Sequence, residues 1–168
     1  MHHVLSVIML KIKLICVGKL KEHFYSDAAK EYIKRLTAYC KIEIVEVSEQ
    51  RLPPEPSEAS IMAALLKESS AISSALPADS MTVALCVEGN EMSSIELSEF
   101  LKGCANSGSS RICFVIGGSY GLHGSIKASA DLGLSLSKMT FPHNLARIVL
   151  LEQLYRAFNM AEGGKYHK

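Results

Sequence analysis

A glycine-rich segment holds the residues with the most evident potential for chemistry. Residues 117–121 read Gly-Gly-Ser-Tyr-Gly and follow an apolar run at residues 112–116. Glycines lack a Cβ and let a ligand approach the backbone closely, although they suit a purely structural tight turn equally well. The segment also matches the G-x-S-x-G elbow of serine hydrolases with Ser119 as nucleophile, but hydrolases of that fold usually need a longer chain. The acid and the base of such a triad would come from Asp131, Glu152, His143 and His167.

A second candidate is the charged pair Glu152 and Arg156, which stand four residues apart in a segment with helical periodicity. That spacing, with the acid first, favours an ion pair on one helix face. Two interpretations stay open: the pair neutralises itself inside an interface, or Arg156 and Arg147 point into a cleft and bind phosphate or carboxylate. The histidines, cysteines and acids do not have the spacing of metal ligands, so no metal site is predicted.

The rest of the chain alternates short apolar runs with segments of helical periodicity. Strands are predicted at residues 12–17, 42–47, 81–87, 112–116 and 134–137. Helices are predicted at residues 24–39, 57–76, 93–105, 125–131 and 144–158. This alternation is typical of an α/β domain with a parallel sheet and helices on both faces.

Three unusual loops follow predicted strands, at residues 88–90, 117–121 and 136–140. Because ligands in open α/β sheets bind beyond the carboxyl ends of the strands, a binding site is predicted where these loops meet. The predicted helix at residues 144–158 is apolar around nearly its whole circumference, which is typical of a helix that is buried on all sides. We therefore expect this C-terminal helix to pack against its own core and against a second subunit in a homodimer.

Composition and charge indicate an ordinary globular domain. The 168 residues are 48% hydrophobic and 21% charged, and the net charge is only +1. Residues 11–41 and 102–168 are net basic, whereas residues 42–101 are net acidic. The two ends would therefore form a basic surface on a nearly neutral protein if they meet in the fold.

The N-terminus and the cysteines favour a cytoplasmic protein without a membrane anchor. Residues 1–8 are predicted to be an extension ahead of a single domain at residues 9–168, with Met9 as an alternative start, and their apolar stretch is too short to span a bilayer. Five cysteines without a C-x-x-C pattern indicate a reduced compartment. Those inside apolar runs are expected to be small buried hydrophobes: Cys16, Cys86 and Cys113.

Five segments in this order carry a family resemblance: GKL at 18–20, FVIGGS at 114–119, LSLSKMTFPH at 134–143, LEQLYRAF at 151–158 and YHK at 166–168. Together they resemble the ribosomal RNA large-subunit methyltransferase H family, the smallest SPOUT-type methyltransferases. The resemblance extends from Met9 to the C-terminus. Two departures are residues 1–8, which have no counterpart, and Lys165, where the family usually has proline.

The resemblance implies a fold and an activity. The fold is a single-domain parallel-sheet SPOUT fold with a C-terminal trefoil knot. The activity is methylation of N3 of a pseudouridine in the helix-69 loop of 23S ribosomal RNA, within the large subunit or the whole ribosome. The methyl donor is S-adenosylmethionine, no metal is required, and the enzyme is a homodimer. A ribosome-associated module that binds RNA without catalysis is the alternative.

The resemblance also assigns residues to the cofactor site and, with the required chemistry, to the substrate site. The cofactor would be bound by Leu85, Gly117, Leu136, Ser137, Lys138, Met139, Thr140 and Phe141. The candidates for handling the N3 proton are Arg156, Tyr166 and His167, with the partner subunit completing the site. Phosphate contacts would come from Lys19, Lys21, Arg147 and Lys168. The tail at residues 163–168 has too little apolar content to fold alone and is expected to fray.

Overall fold

Strands and helices alternate through residues 9–166, the part of the chain that the computed structural model describes. The elements are β1 (Lys11–Val17), α1 (His23–Leu36), β2 (Lys41–Val47), α2 (Glu58–Ala75), β3 (Met81–Glu91), α3 (Ser94–Asn106), β4 (Arg111–Ile116), α4 (Gly124–Ser129), β5 (Leu132–Ser135) and α5 (His143–Ala161). The strands form one parallel sheet in the order β2-β1-β4-β3-β5. The predicted single-domain α/β class is confirmed, whereas the trefoil knot stays a prediction.

Helices cover both faces of this sheet. On one face α1, α3 and α5 pack over a large apolar cluster that includes Phe114 and Leu154. On the other face α2 and α4 cover a smaller cluster around Val115 and Ile126. The central strands β1 and β4 are buried along nearly their whole length, which explains why their sequences are continuous apolar runs instead of alternating ones.

The last strand lies two residues earlier than its sequence pattern predicts. Strand β5 occupies Leu132–Ser135 because Val83 and Ala84 of β3 pair with Leu132 and Gly133. Beyond an irregularity β3 pairs a second time, with Asn90 opposite Leu134 and Glu91 opposite Ser135. Gly89 is required at this irregularity, since an added Cβ would lie 2.7 Å from the backbone of Gly133. As a result, the residues after Ser135 leave the sheet and form a loop at its carboxyl edge.

Helix α5 crosses the first face of the sheet between α1 and α3, from the carboxyl edge towards the amino edge. Its inner side contributes Leu150, Leu151 and Leu154, all fully buried within the protomer. Its outer side is half-buried and includes Leu145 and Val149, which are not part of the core cluster. Leu151 therefore belongs to the protomer's own core, and only the outer side is available to a second subunit. None of the described helices is long and apolar enough to cross a membrane.

Candidate functional site

A cleft of about 760 Å³ lies at the carboxyl ends of β3, β4 and β5. Its volume is within the range of roughly 300–1,000 Å³ that is usual for small-molecule sites. All residues predicted to bind a cofactor line this cleft except Lys138, and they are Leu85, Gly117, Leu136, Ser137, Met139, Thr140 and Phe141. Two of the three predicted loops, at residues 117–121 and 136–140, therefore converge on one cavity. The third prediction is wrong, because residues 88–90 lie within β3, where Glu88 contributes to the lining.

The glycine-rich loop after β4 forms one wall of the cleft. An added Cβ at Gly117 would collide with the backbone of Gly121, and Gly121 itself has a positive φ of 79° and bonds through its N–H to the Gly118 carbonyl at 3.1 Å. Glu49 secures the loop from outside, accepting hydrogen bonds from the N–H and the hydroxyl of Ser119 at 3.1 and 2.9 Å. The glycines thus serve a tight turn that also borders the cavity.

These contacts oppose the hydrolase alternative. The Ser119 hydroxyl donates to a carboxylate, and within residues 9–166 no histidine forms a hydrogen bond with it. Asp131 accepts from the backbone N–H of Thr82 at 2.8 Å, and Glu152 is paired with Arg156. A serine nucleophile with a neighbouring base is therefore not assembled in this part of the chain.

The loop after β5 forms the opposite wall and is braced by its own side chains. The hydroxyl of Ser135 donates to the carbonyl of Ser137 at 2.9 Å, and the hydroxyl of Ser137 accepts from the N–H of Met139 at 3.0 Å. Met139 is 75% exposed on the rim although it is large and apolar. An apolar side chain held on the rim of a cleft is suited to contacting a bound ligand.

Several cleft residues were not among the predicted cofactor-binding residues, although Glu88 and His143 belong to segments that the sequence singled out. Glu88 and Lys127 form an ion pair of 2.6 Å, which lowers the pKa of the Glu88 carboxyl. His143 lines the cleft at the start of α5, where its position beside Pro142 was the available signal. Cys86 also lines the cleft and is half-buried, contrary to the expectation of a buried hydrophobe. Burial raises the pKa of its thiol, so the side chain stays a neutral thiol at physiological pH.

The other cysteines of the predicted set are structural. Burial raises the pKa of Cys16 to about 11 and that of Cys113 to about 12, and both side chains lie in the sheet core. Such thiols are inert because the reactive thiolate is disfavoured. The expectation of small buried hydrophobes is confirmed for these two residues.

Arg147 does not occupy the position that a phosphate-binding residue needs. Its side chain is buried, with the residue only 4% exposed, and it donates to Glu46 at 2.9 Å and to the carbonyl of Gly18 at 3.1 Å. The physical reason is that Arg147 lies on the inner side of α5, facing the end of β1. Arg147 therefore anchors the loop after β1, whereas Lys19 and Lys21 on that loop are exposed.

Two of the three proposed proton-handling residues, Arg156 and Tyr166, lie together at the other end of α5. Arg156 donates to Glu152 at 2.6 Å, and its guanidinium lies 4.6 Å from the ring centre of Tyr166. Tyr166 also packs edge-on against Tyr155 at 4.8 Å and donates its N–H to Asn159 at 3.1 Å. The expected fraying is therefore wrong for Tyr166. His167 and Lys168 lie outside the described residues.

This tyrosine–arginine cluster (Tyr155, Arg156 and Tyr166) is separated from the cleft within one protomer. His143 borders the cleft at the first turn of α5, and Arg156 follows thirteen residues later on the same helix. At a rise of 1.5 Å per residue, the two positions are about 20 Å apart along the helix axis. None of the three cluster residues lines the cleft of its own chain.

Comparison with known proteins points to one family. The family described as "Predicted SPOUT methyltransferase" matches residues 10–167. Among curated relatives, ribosomal RNA large subunit methyltransferase H of Streptococcus equi subsp. zooepidemicus and that of Clostridium botulinum strain Eklund 17B are each 43% identical over 159 residues. A relative from Methanococcus maripaludis strain C5, named putative ribosomal RNA large subunit methyltransferase H, is equally similar. Each match covers 95% of this chain and 100% of the relative.

Solved structures share the fold at low identity. A probable methyltransferase from Bordetella pertussis Tohama I superposes with a TM-score of 0.57 at 15% identity, covering 90% of this chain and 98% of that one. A probable methylase family protein from Haemophilus influenzae Rd KW20 gives a TM-score of 0.54 at 14% identity, covering 96% of this chain and 71% of that one. These similarities support the architecture of the sheet and helices described above.

Proposed function

The chain belongs to the ribosomal RNA large subunit methyltransferase H family of SPOUT methyltransferases, and on that premise we propose that it methylates large-subunit ribosomal RNA with S-adenosylmethionine as donor. The observation that carries the proposal is the cleft at the ends of β3, β4 and β5, lined by the segments that the family motif contains. The proposed target is N3 of a pseudouridine in the helix-69 loop of 23S ribosomal RNA. An assembled subunit or ribosome is favoured over naked RNA because the net charge is only +1.

The cleft fits the donor in size and in the chemistry of its walls. Apolar side chains of Leu85, Leu136 and Phe141 offer contacts to a flat nucleobase, and the crowded turn at Gly117 brings backbone to the wall of the cavity. Glu88 and Lys127 supply one negative and one positive group. When bound, S-adenosylmethionine supplies a methyl group already activated by a sulfonium, so no metal is needed and alignment is the protein's main task.

The proposed role of the tyrosine–arginine cluster is to deal with the proton on N3. Burial, with Tyr32 and Glu152 nearby, raises the pKa of Tyr166, so its hydroxyl stays protonated near neutral pH and acts as a hydrogen-bonding group. The hydrogen bond to Glu152 raises the pKa of Arg156, whose permanent charge favours an ionised nucleobase. His167 stays a predicted acceptor of the proton, and its replacement by Ala would then lower the rate about 10²–10⁴-fold.

A homodimer resolves the separation of about 20 Å between cleft and cluster. When two identical helices pack antiparallel around a two-fold axis, the end of one lies beside the start of the other. The half-buried outer side of α5 offers a surface for such packing. Next to it, an open cavity of about 290 Å³ is lined by Val149, Gln153 and Leu136 and leaves space for a partner's side chain. We therefore assign each proposed site to the cleft of one protomer and the cluster of its partner.

The test is methyl transfer to large ribosomal subunits taken from cells that lack this modification. Subunits and whole ribosomes are incubated with methyl-labelled S-adenosylmethionine in EDTA, and mass spectrometry locates the label in the RNA. We expect one methyl group on the helix-69 loop. Retention on ribosomes without transfer would favour the binding-only module, and label at another nucleotide would contradict the proposed target.

A further inference from the structure

An aromatic pair, an exposed Phe24 beside a half-buried Tyr25, lies at the start of α1, at the carboxyl edge of the sheet. Phe24 is 67% exposed, and its ring lies 4.4 Å from that of Tyr25 at an angle of 51°. Single exposed apolar residues are normal on protein surfaces. Here, however, two rings stand together immediately after two exposed lysines, Lys19 and Lys21.

The loop that leads to this pair is held rigidly. Gly18 has a positive φ of 89°, donates its N–H to the Val47 carbonyl at 2.8 Å and accepts from Arg147 at 3.1 Å. Leu20 then packs against the main core cluster. Because Leu20 points inward between them, Lys19 and Lys21 are left exposed on the surface. The buried arginine on α5 thus fixes the position of a basic and aromatic surface.

This surface borders the cleft. An added Cβ at Gly18 would lie 3.9 Å from Nε2 of His143, and His143 is one of the residues that line the cleft. The aromatic pair follows only six residues later, at the first turn of α1. Six residues span at most roughly 20 Å, so an RNA strand whose target base meets the donor at the cleft can extend to Phe24 within a few nucleotides.

We propose that Phe24, supported by Tyr25, is a stacking platform for an unpaired RNA base, with Lys19 and Lys21 contacting the flanking phosphates. The inference rests on the proposed function and deepens it by naming how the substrate is recognised. Single-stranded RNA is typically bound by aromatic side chains that stack on bases, combined with basic groups that follow the backbone. Glu22 and Asp27 offset part of the local positive charge, so stacking is expected to contribute beyond electrostatic attraction.

The variants Phe24→Leu and Phe24→Trp separate aromatic stacking from apolar contact, and Lys19→Ala removes one phosphate contact. Met62→Ala changes another large exposed apolar residue, on α2 at the other face of the sheet, and is the control. The probe is a single-stranded RNA 12-mer that carries 2-aminopurine, whose fluorescence falls on stacking. Methyl transfer to large ribosomal subunits and the mass in solution are measured in parallel.

We expect Phe24→Leu to weaken RNA binding roughly 5- to 150-fold and to abolish the 2-aminopurine quenching, whereas Phe24→Trp keeps both. The slope of the logarithm of the RNA binding constant against the logarithm of the salt concentration should stay unchanged in Phe24→Leu. In Lys19→Ala the magnitude of this slope should fall by about 0.7. If Phe24→Leu binds RNA, quenches 2-aminopurine and transfers methyl groups as the wild-type protein does, the platform is overturned and the methyltransferase proposal stays intact. A monomeric Phe24→Leu would overturn it in favour of a subunit contact. If the wild-type enzyme transfers no methyl group, the proposed function is refuted but the stacking platform is not, because the RNA 12-mer tests stacking separately.

Discussion

The two ends of helix α5 are surrounded by different types of residues. At its start lies the cleft, formed by glycines, apolar side chains and short loops that strand ends hold in place. At its other end lies the tyrosine–arginine cluster, in which long side chains are fixed mainly by one another and by Glu152. The first end is suited to binding a small molecule with a flat apolar part, and the second to holding charge and protons. If the proposed function holds, a single protomer carries both halves of the reaction site without joining them.

The largest effect is expected from separating the subunits. Val149→Glu introduces a charge on the outer side of α5, and we expect a monomer whose methyl transfer falls to background, because neither half of the site has its partner. Light scattering and a transfer assay measure the two properties. Met62→Glu on the exposed face of α2 is the control and should stay dimeric and active. A monomeric but active Val149→Glu protein would show that one chain suffices.

A substitution in the glycine-rich loop of the cleft should mainly weaken cofactor binding. In Gly117→Ala the new Cβ would collide with the Gly121 backbone, and the displaced turn should weaken S-adenosylmethionine binding by more than roughly 10²-fold. Calorimetry measures the affinity. Gly124→Ala is the matched control, because nothing lies within 4 Å of its added Cβ. Normal affinity in Gly117→Ala would remove the glycine loop from the proposed site.

A substitution in the tyrosine–arginine cluster should lower the rate of methylation and leave cofactor binding unchanged. Arg156→Ala removes the charge beside Tyr166, and we expect the single-turnover rate of methylation to fall roughly 10- to 10²-fold with cofactor affinity unchanged. Arg35→Ala, which removes another arginine near Tyr155 that is paired with Glu31, serves as control and should have little effect. Loss of cofactor binding in Arg156→Ala would argue that the two ends are not functionally distinct.

Sequence patterns revealed the cleft better than the cluster, for physical reasons. Strand ends, glycines and the loop at residues 136–140 are local features, so their periodicity and composition predict where they lie. Arg147 and Tyr166 depend on long-range contacts instead: one is drawn inward by Glu46 and Gly18, and the other is packed onto Tyr155. No local pattern encodes such pairings. Similarly, β5 begins earlier than expected because Leu132 and Gly133 find partners in Val83 and Ala84 of β3, about fifty residues away in the sequence.

A smaller effect, on the stability of the protein and not on catalysis, is expected away from the two ends of α5. Glu68 on α2 is only 6% exposed, and burial, with the charge of Glu49, raises its pKa from 4.5 to about 7. Between about pH 4.5 and pH 7 the folded state retains a proton that the unfolded state has lost, so stability falls as pH rises across this window and then levels off. We expect the free energy of unfolding of the wild-type protein to fall by on the order of 1–3 kcal/mol between pH 5 and pH 8, and we expect this fall to be absent in Glu68→Gln. Denaturant titrations at the two pH values measure it. An identical pH dependence in both proteins would refute this assignment.

The most direct test of the shared site uses mixed dimers. Gly117→Ala and Arg156→Ala chains, each strongly impaired as a homodimer, are given different affinity tags, coexpressed and purified as the mixed species. If each site combines the cleft of one protomer with the cluster of its partner, one of the two sites in the mixed dimer is intact, and about half of the wild-type rate returns. If cleft and cluster of the same chain worked together, both sites would carry a defect, and the mixed dimer would transfer methyl no faster than the homodimers of either variant.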